Sequence, residues 1–175
     1  MRELVAKVEA VCMSTPARRV AKLPKDEAFI GPHGFVGDRH EAEFLRSQWG
    51  HVYPSNRQWS AVSVEEIAAL CADMGVSTFQ PGELGENLLL SGIELAGVPE
   101  GTVLEFPSGA RLIVAGQNDP CVNAARELSQ TYGPVVGQYF VKQAWGRRGL
   151  IGSVLAPGLV RPGDSVTLLV PEAVS

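Results

Sequence analysis

Glycine and proline punctuate almost the whole chain, and they restrict its fold more than any other feature. The 175 residues include 19 glycines and 12 prolines, about 18% of the chain against a usual share of about 12%. Inside a helix glycine costs about 1 kcal/mol and proline about 3 kcal/mol, so long bundles and coiled coils are excluded. Such punctuation favours short elements joined by turns. A hydrophobic content of 45% is too high for generic disorder. The length suits one domain over residues 1–175, with its core in about residues 5–170.

Residues 3–13 read as a strand with Leu4, Val8 and Ala10 on one face. From Pro24 to about Tyr53 the density of Gly, Pro, His and charge predicts a long functional loop or irregular segment. QWSAVSV (58–64) predicts a second strand that runs into a helix. There Ser63 is the N-cap, Glu66 its capping-box partner, and Ile67, Leu70, Cys71 and Met74 the apolar stripe before Gly75 stops the helix. Short strands follow at 87–90, 93–96, 102–106 and 110–116, with PSG (107–109) as a hairpin turn. Asn118-Asp119-Pro120 predicts a helix over about 120–130, with Pro120 at the first helical position. A shorter helix follows Pro134 with Val136, Tyr139 and Phe140 inward, and strands at 149–155 and 165–170 close the chain. The expected class is mostly β (α+β): a closed or nearly closed β-barrel with two or three packed helices.

MRELVAKVEAVCMS is broken by Glu3, Lys7 and Glu9, so no signal peptide is expected there. No apolar run reaches ~18 residues, so no membrane span is expected. Cys12, Cys71 and Cys121 stand far apart without C-x-x-C spacing, which argues against a disulfide framework, a structural zinc site or an iron–sulfur cluster. A cytoplasmic protein is expected. The net charge of −4 disfavours binding to a nucleic-acid polymer. Eleven of the 15 basic residues are arginines, compatible either with an anionic ligand or with simple compositional bias.

Four segments carry candidate chemistry. Cys121 stands at a helix start, where free amides and the macrodipole favour a reactive thiolate; a buried, inert thiol is the alternative. Cys12 and Cys71 read as core. In HGFVGDRHE (33–41), an extended backbone would put Asp38 and His40 on one face and Arg39 on the other. Such a pair can orient an imidazole, ligate a metal or bind a polar ring, or form only a glycine-rich turn. PGELGEN (81–87) can hold backbone amides against a ligand or be an ordinary turn, and GRRG (146–149) can bind phosphate or carboxylate or be a solvated turn. No G-x-x-x-x-G-K-[ST], G-x-G-x-x-G or G-x-S-x-G motif occurs, which weakens nucleotide-binding and serine-hydrolase readings.

In order, GPHGFVGDRH (31–40), RQWSAVSVEEIAAL (57–70), PGELGENLLLSGIEL (81–95), GTVLEF (101–106), ARLIVAGQNDPC (110–121) and RRGLIGSVLAPGLVRPGD (147–164) resemble the MOSC domain, named after the C-terminal part of molybdenum-cofactor sulfurase. The resemblance is to the small stand-alone bacterial type. It implies a barrel that binds the molybdenum–pterin cofactor, with Cys121 ligating molybdenum or carrying sulfur bound for it. Arg147, Arg148, Arg39 and Arg57 are then the candidates for the pterin phosphate. His40 and Asp38 face cofactor or substrate as catalytic candidates, and Glu86 and Asn87 shape the pocket.

Some stand-alone members reduce N-hydroxylated bases and related compounds, which implies a small N-hydroxylated substrate and a separate redox partner. The alternatives are a non-catalytic carrier of sulfur or cofactor served by a sulfur donor, and a cofactor-free thiol enzyme using Cys121 with His40. The basic residue often found close before the family's P-C is missing from GQNDPC, which leaves the substrate class open. Four scattered lysines without a recognisable site give no support for pyridoxal phosphate, and no desulfurase activity is expected of these residues.

Overall fold

The computed structural model describes residues 1–17 and 19–172. The chain runs through β1 (Arg2–Met13), β2 (Leu23–Lys25), β3 (Ala28–Gly31), β4 (Gly34–Phe35), β5 (Phe44–Arg46), β6 (Val52–Pro54) and β7 (Trp59–Ser63) into α1 (Val64–Met74). Then come β8 (Leu88–Ser91), β9 (Val103–Glu105), β10 (Arg111–Gln117), α2 (Val122–Tyr132), α3 (Pro134–Gln143), β11 (Leu150–Ala156), β12 (Gly158–Val160) and β13 (Ser165–Val170).

Seven strands form a closed barrel in the order β13-β9-β10-β11-β7-β8-β1, sealed by β1 against β13, with β2 extending from β1. The closing register pairs Arg2 with Val170 and Lys7 with Ser165. Every adjacent pair in the ring is antiparallel except β7–β8. A parallel pair needs a crossover, and α1 supplies it. Val8, Trp59, Leu88, Leu90, Leu104, Leu112, Leu150 and Leu168 fill the barrel. A second apolar cluster, with Leu70, Phe79, Leu84, Leu128 and Phe140 at its centre, packs the three helices together.

The barrel and helices agree with the sequence reading, but several local expectations need correction. Residues 24–53 are irregular for more than half their length but also carry short strands: β3 and β4 join β12 in a three-stranded sheet, and β5–β6 form a hairpin. Residues 93–96 form no strand, because side chains take their backbone groups. Ser63 Oγ donates to the Ile93 carbonyl, Glu66 accepts from the Ala96 amide, and the Gln117 amide donates to the Leu95 and Ala96 carbonyls. Glu66 is thereby drawn away from a reciprocal capping box, although Ser63 still caps α1 by accepting from the Glu66 amide. Gly75 closes that helix in the left-handed conformation, at φ 69°. Tyr139 is exposed on α3 while Val136 and Phe140 point inward. α2 starts later than predicted: Cys121 is its N-cap, and Pro120 lies just outside.

Candidate functional site

The barrel register assembles the site. β10 and β11 pair Gln117 with Leu150, and the Asn118 amide donates to the Gly149 carbonyl. The residues leaving β10 therefore lie beside those entering β11, which brings Cys121 to Arg148. Gly149 makes the approach possible. Its φ of 78° is left-handed, and a Cβ there would overlap the Ala61 carbonyl of β7.

Cys121 is half-buried and its Sγ accepts from the Ala124 amide at 3.5 Å. Burial pushes the thiol pKa up, but the Ala124 amide and the Arg148 guanidinium together bring it below the ordinary cysteine value. Arg148 is only 4% exposed. Its Nη1 donates to the Asp119 carbonyl at 2.6 Å and its Nη2 to the Leu84 carbonyl at 3.1 Å. Its Nε is buried without a hydrogen-bond partner among the described residues. Two carbonyls thus fix a cation beside the thiol, and its Nε–H is left without a partner among the described residues.

Arg39, His40, Arg57, Asn118 and Arg148 line one small cavity of about 20 Å³. Arg57 Nη2 donates to Asn118 Oδ1 at 3.0 Å. Arg39 Nε bonds His40 Nε2 at 3.2 Å, and the other His40 nitrogen stands 3.4 Å from Glu43. Burial, with the Lys22 and Arg39 charges, lowers the His40 pKa, so its neutral form is favoured. Four of the expected residues, Arg39, His40, Arg57 and Arg148, therefore converge on the cavity, and Cys121 adjoins it through Arg148.

The other expected residues lie elsewhere. Asp38 and His40 occupy turns, not an extended strand, so they do not share a face. The Asp38 carboxylate is fully buried in an ion pair with Lys22 at 2.9 Å and also accepts from the Ser14 amide and hydroxyl. Burial opposes its ionisation, but Lys22 and Ser14 hold its pKa below the usual value. Glu86 is buried behind the site, where Oε1 accepts from the Gly82 amide at 2.5 Å and Oε2 has no partner among the described residues. Burial raises its pKa. Asn87 joins β7 to β1, accepting from the Ser60 amide and donating to the Cys12 carbonyl. Arg147 turns away from its neighbour to pair with Asp73 at 2.7 Å. Cys12 and Cys71 are buried, as expected.

Sequence reasoning does not single out Lys22, which pairs with Asp38, and reads Asn118, which holds Arg57, only as a helix-start residue. Nothing local marks Lys22 as buried. Among the described residues, no group of three or more His, Cys, Asp or Glu could hold a metal ion, so any metal here would depend on Cys121 and a ligand-borne donor set. No helix of the described residues is long and apolar enough to cross a membrane.

A mostly β barrel whose P-C cysteine caps a helix agrees with the sequence comparison, in which the MOSC domain pattern matches residues 38–167. The chain belongs to the MOSC domain family. Within it the chain is similar to YuaD of Bacillus subtilis (strain 168), whose name assigns that protein provisionally to metal-sulfur cluster biosynthesis. Identity is 38% over 176 residues, covering 94% of this chain and 91% of the relative. The crystal structure of Bacillus subtilis YuaD matches with a TM-score of 0.90 at 29% identity, covering 98% of this chain and 99% of that one. YiiM from Geobacillus stearothermophilus shares the fold alone, with a TM-score of 0.68 at 19% identity over 94% of this chain and 75% of that one.

Proposed function

We propose that the protein binds a molybdenum–pterin cofactor through Cys121 and reduces small N-hydroxylated compounds, with electrons from a separate donor. The observation that carries this reading is the pairing of the Cys121 thiol, capping α2, with a buried arginine whose Nε has no partner among the described residues. A soft anionic ligand beside a cation with a spare donor suits a metal-bearing anionic group. When bound, that group would supply two-electron redox chemistry at the metal.

The chain's own residues contribute positioning and charge. The Ala124 amide and Arg148 favour the ligand-competent thiolate of Cys121, against the opposing effect of burial. Arg57 and Arg148 present positive charge to the cavity, and Asn118 fixes the direction of Arg57. His40, on the same cavity wall, can move a proton at a ring nitrogen once that nitrogen is released from its contact with Arg39 or Glu43. Reduction of an N-hydroxyl group consumes two electrons and two protons and releases water, so such a proton route is required.

Expression in cofactor-producing and cofactor-deficient hosts tests the reading. Molybdenum and pterin are expected in protein from the first host, and Cys121→Ser is expected to lose the metal. Purified protein with neither component, unchanged by Cys121→Ser, would overturn it.

The name borne by the Bacillus subtilis relative favours a second reading, in which Cys121 carries sulfur for transfer. Incubation with a cysteine desulfurase would then leave a persulfide on Cys121, visible by mass spectrometry. Absence of that adduct together with turnover of a hydroxylamine substrate would rule out the carrier.

A further inference from the structure

The β5–β6 hairpin stands apart from the barrel. Every residue of both strands is exposed, and the two pair only with each other among the described residues. A two-stranded hairpin on its own is marginal in water, so this one lacks a partner. Its surface is also apolar: Trp49 at the tip is 78% exposed, Phe44 55% and Tyr53 46%, with Leu45 and Val52 beside them. By usual side-chain areas these five leave about 450 Å² of apolar surface open. A standard dimer interface needs about that much, since it buries about 800 Å² per partner and is about 60% apolar.

The hydrogen-bond pattern shows which edge is open. The Ser55 amide donates to the Glu43 carbonyl at 2.8 Å, and the Ser47 amide to the His51 carbonyl at 2.9 Å. Bonded pairs alternate in an antiparallel ladder, so the Leu45 backbone faces Tyr53 of β6 while Phe44 and Arg46 turn their N–H and C=O groups outward. The opposite edge, on β6, is blunted by Pro54, which has no N–H. The β5 edge is self-complementary. A second copy running antiparallel about a two-fold axis at Leu45 lets Phe44 exchange both backbone bonds with the partner's Arg46, and Arg46 with the partner's Phe44. Leu45 then meets its own copy, no like charges are opposed, and each Arg46 guanidinium is brought beside a Phe44 ring.

We infer that the hairpin is a dimerisation arm, in which β5 of one protomer pairs with β5 of its partner to make a four-stranded sheet in the order β6-β5-β5-β6. Pro54 on both outer strands closes the assembly at two copies. The arm is tied to the wall of the small cavity. Its base holds Glu43 at 3.4 Å from His40, and the Ser55 hydroxyl accepts from the Arg57 amide at 3.2 Å. Pairing therefore steadies the segments that carry His40 and Arg57. The same register brings each Trp49 toward residues 41–43 of the partner, next to its His40.

Sedimentation equilibrium of the full chain at concentrations up to about 100 µM is expected to give twice the mass of one chain. Leu45→Asp sets two carboxylates against each other at the axis, and Arg46→Pro removes an outward N–H that the hairpin itself does not use. Each should weaken dimerisation at least about tenfold, whereas Val5→Asp, on the exposed outer wall of the barrel, should leave it unchanged. Air oxidation of Leu45→Cys should cross-link the protomers, because the paired Cα atoms at the axis lie about 4.5 Å apart, within disulfide reach. Val52→Cys, exposed but on β6, and the parent protein should not cross-link. A monomer at every concentration, a dimer indifferent to both Leu45→Asp and Arg46→Pro, or no cross-link through Leu45→Cys overturns the arm. A monomer that floats with phosphatidylcholine vesicles would overturn it too, by giving the apolar patch to a lipid surface.

Discussion

The Arg148 guanidinium lies beside the Cys121 thiol, held there by the carbonyls of Asp119 and Leu84. One of those carbonyls comes from the loop carrying the cysteine and the other from the glycine-framed turn before β8. The cation is therefore placed by the fold and does not depend on a ligand for its position.

Alkylation of Cys121 should reveal this placement. Its rate against pH should inflect below the ordinary cysteine range, because the Ala124 amide and Arg148 outweigh burial. Arg148→Met should move the inflection upward and slow alkylation near neutral pH about fivefold, the effect of losing about 1 kcal/mol of charge-assisted interaction. An unchanged pH profile in that variant would remove Arg148 from the account of the thiol.

The Lys22–Asp38 pair has fully buried side chains on both partners. Asp38→Asn should cost about 3–5 kcal/mol by stranding an ammonium in the interior, whereas an apolar replacement of both partners should recover much of the loss. Denaturant unfolding of the two variants decides the matter. Equal stability in both would show that Asp38 is needed only for its bonds to Ser14.

Glu86 gives a pH signature of opposite sign to that of Asp38. Burial raises its pKa above 4.5, so its contribution to stability is full below that value and is lost as pH rises through its folded pKa. Relative to Glu86→Gln, which keeps an acceptor for the Gly82 amide, the parent protein should lose stability progressively over the interval above pH 4.5. Thermal melts of both proteins across that interval should diverge, and parallel curves would refute the raised pKa.

Gly149→Ala should destabilise the fold by at least about 1–3 kcal/mol, combining left-handed strain with overlap against Ala61. It should also return Cys121 alkylation toward an ordinary thiol profile, since Arg148 is its immediate neighbour in the chain. A melt and a thiol titration on one preparation read both effects.

Much of this was legible in the sequence, for reasons that differ between residues. Cys121 follows Asn-Asp-Pro, a helix-start pattern, and the structure moves it by only one step, from first turn to N-cap. Ser63 and Gly75 bounded α1 because capping is local chemistry. The β3–β6 strands were missed because they are two to four residues long and β3 takes its main partner from β12, far along the chain. Arg147 and Arg148 could not be separated, since adjacent identical residues differ only in where the completed fold points them. Lys22 gave no warning either: its partner is sixteen positions away and joined to it only through tertiary structure.

The pairing of β1 with β13 has a consequence for biosynthesis. The ring has no free edge between these strands once it closes, but closure needs both of them, and they lie near opposite ends of the chain. While β13 is still within the ribosome, β1 and β9 each present an unmatched row of amides and carbonyls. A nascent chain stalled at that stage is therefore open to strand-by-strand association with its neighbours. Shielding by the exit tunnel or a chaperone matters most until β13 has emerged and paired, a step that comes after Cys121 and Arg148 have been made.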